Sequence, residues 1–193
     1  MERLDTAAAA HFESGDFVYA GLLDIPFIFD LVLEGSVSGS FSDSYLMRQG
    51  YLHILFLLLT SLHSLSWICR GKKRELLIFR KSTIPVGFIQ IESMTMKNGN
   101  ACRYIMTCAI APLYRGSRYG RDMVELLIAR SPMGTEICAF CTKYARAMQH
   151  ILKNLHFVRR TAGHGLESYS FLKSADVNAA ADQCELTTST LVR

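Results

Sequence analysis

The alternation of apolar and polar residues along the chain predicts seven strands and four helices. Segments rich in β-branched and apolar residues predict strands at 17–21, 75–80, 85–92, 102–111, 136–141, 158–161 and 167–172. Apolar residues at helical spacing predict helices over 24–35, 43–62, the segment around Met123 to Leu127, and 145–155. The resulting order, β-α-α-β-β-β-α-β-α-β-β, predicts an α/β (α+β) domain with a mixed, mostly antiparallel sheet flanked by helices.

The strand, turn and helix over 102–129 carry the strongest functional signal. Pro112 ends the strand because proline cannot donate to a sheet ladder. The basic turn that follows, 115–121, contains Gly116 and Gly120 and leads into the helix. Such a unit directs unpaired backbone N–H groups and the positive end of a helix dipole at one point, where phosphate binds. The sequence therefore predicts a site for a phosphate-bearing cofactor, although a strand–turn–helix unit with a merely basic turn is the alternative.

The turn resembles the pyrophosphate motif of the GNAT superfamily of acyl-CoA N-acyltransferases. That motif runs hydrophobic-x-Pro-x-x-(Arg/Gln)-Gly-x-Gly-x-(Gly/Ala), and five of its six positions are matched by Ile110, Pro112, Arg115, Gly116 and Gly120. Arg118 stands where the first glycine of the closing Gly-x-Gly is expected. The arginine fits if it is helical and turns its side chain toward the phosphates as an additional cation. The alternative is a weakened cofactor site, since glycine keeps a Cβ out of the path of the pyrophosphate.

The resemblance implies a fold, a cofactor and a set of binding residues. The fold is a GNAT-like sheet whose central strands splay apart, in a single domain over 16–173, and the cofactor is acetyl-CoA or another acyl-CoA. Backbone groups around Cys108, Ala109 and Ile110 are expected to hold the pantetheine arm. The pyrophosphate is expected to lie against Arg115, Gly116, Ser117, Arg118, Tyr119, Gly120 and Arg121.

A second segment resembles a further GNAT signature in shape but not in chemistry. In Asn-x-x-Ala-x-x-hydrophobic-Tyr-x-x-hydrophobic-Gly-Phe, Phe157 matches the final phenylalanine, whereas Ala145, Met148 and His156 replace the asparagine, alanine and glycine. Leu152 occupies the position of a tyrosine that often protonates the leaving thiolate. These departures favour an alternative function, in which a GNAT-fold protein has lost turnover and acts as a binding or regulatory module.

The reaction that the resemblance implies is direct attack of an amine on the thioester, with a strand N–H stabilising the developing oxyanion. The acceptor is an amine of a small molecule or a protein, and the resemblance places the edge of its site at the serine- and glycine-rich loop over 35–42. Glu92, on the strand before the central one, is the candidate general base, acting through water; an outward-facing strand carboxylate is the alternative. Tyr144 is the candidate acid, whereas His53, His63 and His150 are expected to be surface or hydrogen-bonded helix residues.

Composition agrees with one globular domain that binds a small anion. The chain has 193 residues with a formal net charge of +4, a pI near 8.8 and a mean hydropathy of +0.17. This charge suits an anionic cofactor but is too weak and dispersed to predict nucleic-acid binding. Residues 1–15 are expected to be a loose leader and 174–193 a disordered tail.

Six scattered cysteines and the absence of a secretory signal predict a reducing, cytoplasmic location. Cys138 and Cys141 have no second ligand pair and would face opposite sides of a strand, so no metal site is predicted. The helix over 43–62 is apolar nearly all round. Its apolar run is too short to span a bilayer, so burial and a homodimer contact are favoured over a membrane segment.

Overall fold

The computed structural model describes residues 15–41, 73–95, 99, 101–161 and 166–174. The strands are β1 (Asp16–Tyr19), β2 (Lys73–Lys81), β3 (Ile84–Thr95), β4 (Ala101–Ile110), β5 (Glu136–Thr142), β6 (Val158–Thr161) and β7 (Leu166–Leu172). The helices are α1 (Ile25–Val37), α2 (Tyr119–Arg130) and α3 (Arg146–Asn154). All seven predicted strands and three of the four predicted helices are therefore present.

Four sequence predictions concern residues outside the described ranges. They are the loose leader, the disordered tail, the apolar helix over 43–62, on which the homodimer prediction rests, and the assignment of His53 and His63. In the part of the chain that the structure describes, no helix combines the length and the hydropathy needed to cross a membrane.

The strands form one sheet in the order β1-β2-β3-β4-β5-β7-β6. Among the described strands β4 and β5 are the parallel pair, and the other neighbours are antiparallel. The parallel pairing joins 102–105 of β4 to 136–139 of β5 and goes no further, although both strands continue. The sheet therefore opens beyond Ile105 and Ala139, which confirms the predicted splayed central strands.

Two apolar clusters cover the two faces of the sheet. Helix α1 packs on one face, which we call the α1 face, through Ile28 and Val32 against Leu76, Ile78 and Phe88. Helices α2 and α3 cover the opposite face. That larger core comprises Phe17, Leu77, Phe79, Val86, Ile89, Ile91, Ile105, Met123, Val124, Leu127, Ile137, Ala139, Cys141, Leu152, Leu155, Phe157 and Tyr169. Met123, Val124 and Leu127 recur at helical spacing, as the sequence pattern predicts.

Helix α1 differs from its prediction at both ends. It has a proline in its first turn as expected, but the Asp24 carboxylate does not cap it and instead accepts from the Gly21 amide and the Arg80 guanidinium, at 2.9 and 2.7 Å. The helix also continues through Gly35 to Val37. Gly35 lies under the ring of Phe41, where a Cβ would be 2.4 Å from the ring carbon Cε2. Gly35 therefore makes room for a side chain rather than ending the helix.

Candidate active site

A cavity of about 810 Å³ opens where β4 and β5 part. Its walls come from both parted strands, the turn after β4, the first residues of α2, the C-terminal half of α1 with the residues after it, and α3. The cavity therefore reaches both faces of the sheet. It contains the turn that the sequence assigns to phosphate binding.

A bulge in β4 marks the start of the opening. Thr107 pairs with Gln90 and Ile105 with Ile91, so Met106 is an extra residue on β4. Beyond the bulge the backbone of β4 alternates between β3 and the cavity. The amide of Ala111 donates to Val86 of β3, so the preceding carbonyl, that of Ile110, points the other way.

That alternation exposes polar backbone groups along the slot between the strands. The N–H and C=O groups of Cys108 and Ile110 point away from β3, on the side where β5 has departed. The carbonyl of Ile110 accepts a hydrogen bond from Arg115 Nε at 2.9 Å. This arrangement can hold an extended, amide-containing chain against β4.

The turn after β4 presents five consecutive backbone amides, those of residues 116–120, which we call the amide turn. None of them donates to another group of the described chain, whereas the next two amides, of Arg121 and Asp122, bond to the carbonyl of Arg118 at 2.8 and 3.1 Å. Gly116 has a φ of +79°, in the region that glycine favours. Free amides at the start of a helix bind anions because they add hydrogen bonds to the positive end of the helix dipole.

Arg118 is not helical, whereas we expected an arginine at this motif position to be accommodated in a helical conformation. It precedes α2 in the left-handed conformation, with φ +64° and ψ −9°. Its exposed side chain lines the cavity and has no salt-bridge partner in the described ranges. The residue therefore preserves a backbone conformation typical of glycine and adds a cation beside the amide turn.

Gly120 allows α3 to pack closely against the start of α2. A Cβ at this position would be 3.0 Å from Ile151 Cδ1 and 3.7 Å from Ile110 Cγ1. Glycine therefore lets the Ile151 side chain approach the backbone at the end of the amide turn. With free amides and the Arg118 cation in one turn, the residues present fit a diphosphate.

Arg115 joins the amide turn to α1. Its guanidinium makes a bidentate pair with Glu34, at 2.7 and 2.8 Å, in addition to the bond to Ile110. Both side chains are nearly half exposed, so the pair contributes more to geometry than to stability. Glu34 is 81 residues away in sequence, and no local pattern identifies it.

Helix α3 supplies an apolar wall on the opposite side of the cavity from α1. Met148 and Ile151 line it, and Met148 Sδ lies 3.8 Å from Cys108 Sγ. Burial, followed by the neighbouring Cys141, raises the pKa of the Cys108 thiol to about 12. The thiol is therefore a neutral packing group at physiological pH.

Aromatic side chains line the cavity on the α1 face. Phe140 points to this face because its neighbours Ala139 and Cys141 belong to the opposite core. Tyr144 lies over the backbone of Gly39, where a Cβ would be 3.0 Å from the tyrosine ring. Phe41 and Met106 complete this apolar half.

Nine of the ten residues predicted to bind the cofactor line the cavity, and Ser117 does not. Of the two predicted catalytic residues, Tyr144 lines it and Glu92 does not. His150, which we expected to be a surface residue or a hydrogen-bonded helix residue, lines it and lies 2.9 Å from Asn154 Nδ2. The loop over 35–42, where the resemblance places the substrate edge, contributes Gly35, Ser38, Ser40 and Phe41 to the lining, whereas sequence reasoning missed Leu31 and Glu34 of α1.

Glu92 lies one strand away from the aromatic half of the cavity, on the same α1 face. It is 4% exposed, pairs with Tyr104 of β4 in register, and accepts from Arg74 Nε at 3.0 Å. Two residues along β3, Gln90 accepts from the hydroxyl of Thr107, which lines the cavity. The carboxylate is thus buried and ion-paired rather than outward-facing. Its catalytic role stays a prediction.

In the segment that resembles the second signature, the tyrosine position holds leucine, and the glycine position holds a histidine with a left-handed backbone. Leu152 is 0% exposed and belongs to the core rather than to the cavity. His156, in place of the family's glycine, has a φ of +60°. Within the described ranges, no group of three or more His, Cys, Asp or Glu side chains is arranged to hold a metal ion.

Solved structures of acetyltransferases share this architecture. An acetyltransferase from Thermus thermophilus has a TM-score of 0.60 at 14% identity, covering 82% of this chain and 96% of its own. A spermidine N-acetyltransferase from Vibrio cholerae, in complex with CoA and spermine, has a TM-score of 0.60 at 11% identity, covering 83% and 96%. A GNAT superfamily phosphinothricin acetyltransferase from Sinorhizobium meliloti, in complex with AcCoA, has a TM-score of 0.58 at 10% identity, covering 84% and 91%.

These likenesses establish the GNAT fold for this chain. The sequence itself matches no protein-family model and no curated protein sequence. The assignment to the GNAT fold therefore rests on the structure and not on sequence similarity. The fold class predicted from the order of elements and from the motif is confirmed.

Proposed function

We propose that this protein belongs to the GNAT acyltransferases, binds an acyl-CoA, by default acetyl-CoA, and transfers its acyl group to an amine of a small molecule or protein. The observation that carries the proposal is the convergence of two features on one cavity. The amide turn, four of whose five residues line the cavity, lies at one end of it, and a slot between two parted strands leads away from it. Structural neighbours in complex with CoA or AcCoA support the same cofactor class.

The residues of this chain divide the binding of the cofactor between them. The amide turn and Arg118 bind the diphosphate, the backbone of Cys108 and Ile110 orients the pantetheine arm, and Met148 excludes water from it. When bound, acyl-CoA supplies an activated thioester that an amine attacks directly, with release of the thiolate. Because both reactants are held in one cavity, proximity supplies much of the acceleration.

Proton transfer is proposed for the two residues that the sequence singles out. The Tyr144 hydroxyl lies on a side chain that lines the cavity, so we assign it donation to the leaving thiolate. Glu92 is assigned removal of the amine proton through water, which its position beside Tyr104 supports. The cytoplasmic location inferred from the cysteines also stays a prediction.

Cofactor binding is tested by thermal unfolding with and without acetyl-CoA. A ligand that binds only the folded state adds about 2.7 kcal/mol at a hundredfold excess over Kd. We expect such a shift with acetyl-CoA and CoA and none with acetate. An unchanged melting temperature at millimolar acetyl-CoA would contradict the proposal.

The base assignment has a matched control, because Glu75 is also a buried carboxylate paired with an arginine, Arg103, at 2.6 Å. Both Glu92→Gln and Glu75→Gln are expected to lower the melting temperature, since each leaves a guanidinium without its partner. Only Glu92→Gln is expected to remove the acid limb of the pH–rate profile. Identical profiles for the two variants would remove Glu92 from the mechanism.

A second candidate function is a binding or regulatory module without turnover. The burial of Leu152 at the tyrosine position favours it. In that case acetyl-CoA still shifts the melting temperature, but a panel of amines gives no acetylated product by mass spectrometry. Product formation that falls in Tyr144→Phe would exclude this alternative.

A further inference from the structure

Apart from Tyr144, the aromatic half of the cavity has no part in the cofactor assignment. Phe140 is 51% exposed there, and its ring stacks on Tyr104 with centroids 6.0 Å apart and planes 4° apart. Phe41 and Tyr144 line the same half. A large ring that is fixed by stacking and left half exposed inside a cavity is suited to bury an apolar ligand group.

The charges that line the cavity as a whole are the opposite of those that a polycation requires. Glu34 is the one carboxylate among the described lining residues, and Arg115 binds both of its oxygens. The neighbouring carboxylate, Glu92, is paired with Arg74. Two further guanidinium groups, those of Arg118 and Arg146, line the cavity without a salt bridge in the described part of the chain. The lining is therefore net cationic and repels ligands with several positive charges.

We propose that the acceptor is a monoamine carried on an aromatic or other apolar body, which packs on the exposed face of Phe140. The proposal rests on the acyl transfer proposed above and assigns the substrate class of that same cavity. Phe140 is the specificity-determining residue, because its ring is half exposed in the cavity and is stacked on Tyr104. Polyamines and lysine-rich peptides are excluded by the paired carboxylates and the cationic lining.

The test measures amine binding separately from acyl transfer. Isothermal titration or ligand-observed NMR on the full chain, without acyl-CoA, gives Kd values for 2-phenylethylamine and spermidine. We expect 2-phenylethylamine to bind at least tenfold more tightly. Phe140→Ala is expected to weaken it by roughly tenfold and to leave spermidine unchanged.

Two further variants keep the test interpretable. Phe140→Leu, which retains apolar area, is expected to weaken 2-phenylethylamine less than Phe140→Ala does. Val158→Ala removes an exposed apolar side chain from strand β6, outside the cavity lining, and is expected to change neither Kd. Circular dichroism verifies that each variant is folded.

The outcomes separate this inference from the proposed function. Tighter binding of spermidine than of 2-phenylethylamine, or equal Kd values for Phe140→Ala and the unmodified chain, would overturn the substrate class even if acetyl-CoA binds. Phe140-dependent binding of 2-phenylethylamine without any acetyl-CoA binding would support the apolar-amine site and refute acyl transfer. Phe140-dependent binding together with acetylation of 2-phenylethylamine would support both.

Discussion

The turn before α2 and the turn after α3 depart from the GNAT pattern in the same way and with different consequences. Each has a bulky residue where the pattern has glycine, and each keeps a left-handed backbone, with φ +64° at Arg118 and +60° at His156. Around Arg118 the binding groups are backbone amides. Around His156 the position expected to act in chemistry holds Leu152, which is fully buried.

The comparison teaches that a turn of this fold can match the backbone conformation of the GNAT pattern without matching its side chains. We infer that phosphate binding by main-chain amides tolerates arginine at position 118, because the left-handed backbone conformation is kept and the side chain is exposed. Leucine at position 152 cannot donate a proton, so the proposed acid is another residue, Tyr144. The two turns therefore share a backbone conformation and differ in the side chain that the GNAT pattern uses for chemistry.

The largest expected effect concerns the apolar wall beside α3. With its pKa raised from 9.0 to about 12 by burial, the Cys108 thiol is about a thousandfold less ionised at pH 8. Its alkylation by iodoacetamide, followed by peptide mass spectrometry, is expected to go on rising with pH through about pH 11. A rate that levels off above about pH 10, as for a thiol of pKa 9.0 in the denatured chain, would mean that this wall is wet and would break the comparison.

The same pKa shift makes stability depend on alkaline pH. Because the folded-state pKa is above the unfolded value, the contribution of Cys108 is complete below about pH 9 and is lost as the pH rises toward 12. Tyr169, whose pKa burial and the bond to Glu167 raise to about 12, acts in the same direction. Urea titrations between pH 8 and pH 11 are expected to show a falling free energy of unfolding.

Gly120→Val is expected to lower acetyl-CoA affinity by a hundredfold or more, which is about 2.7 kcal/mol. The added side chain would collide with Ile151, which a Cβ already meets at 3.0 Å, and would displace the start of α2 with its free amides. Gly21→Val is the control, because a Cβ there meets its nearest neighbour at 3.8 Å and the residue lies outside the cavity. Isothermal titration with acetyl-CoA measures both. Unchanged affinity in Gly120→Val would contradict the phosphate assignment.

Arg118→Gly and His156→Gly sharpen the comparison between the two turns directly. Each relieves a left-handed non-glycine residue, so each is expected to raise the free energy of unfolding by about 1 kcal/mol. Only Arg118→Gly is expected to weaken acetyl-CoA binding, by about tenfold, because it removes the cation beside the amide turn. Equal affinities in the two variants would mean that Arg118 does not contact the cofactor.

Local sequence signals predict the cofactor end well. Strand β4, the turn and α2 are contiguous in sequence, so periodicity, Pro112 and two glycines determine their positions. The same contiguity explains why nine of ten predicted cofactor residues line the cavity. The separation of β4 from β5 was predicted through the resemblance that the motif indicates, because no local pattern in either strand predicts it.

The acceptor end is assembled from segments that are distant in sequence, and the sequence indicated only its loop over 35–42. Glu34 reaches Arg115 across 81 positions, and Thr142 donates to the Gly39 carbonyl across 103. Gly35 is needed because the ring of Phe41, six residues later, packs against the helix at this position. Periodicity reports which face of an element is apolar, but not which other element it meets.

The central claim is that the amide turn binds the diphosphate, and glycine-selective ¹⁵N NMR tests it most directly. Among the 13 glycines of the chain, the amide signals of Gly116 and Gly120 are expected to move on titration with acetyl-CoA. The amide signals of Gly99 and Gly134, which have a positive φ as Gly116 does but lie outside the cavity, are expected to stay in place. Saturable shifts at Gly99 or Gly134 with none at Gly116 and Gly120 would contradict the account.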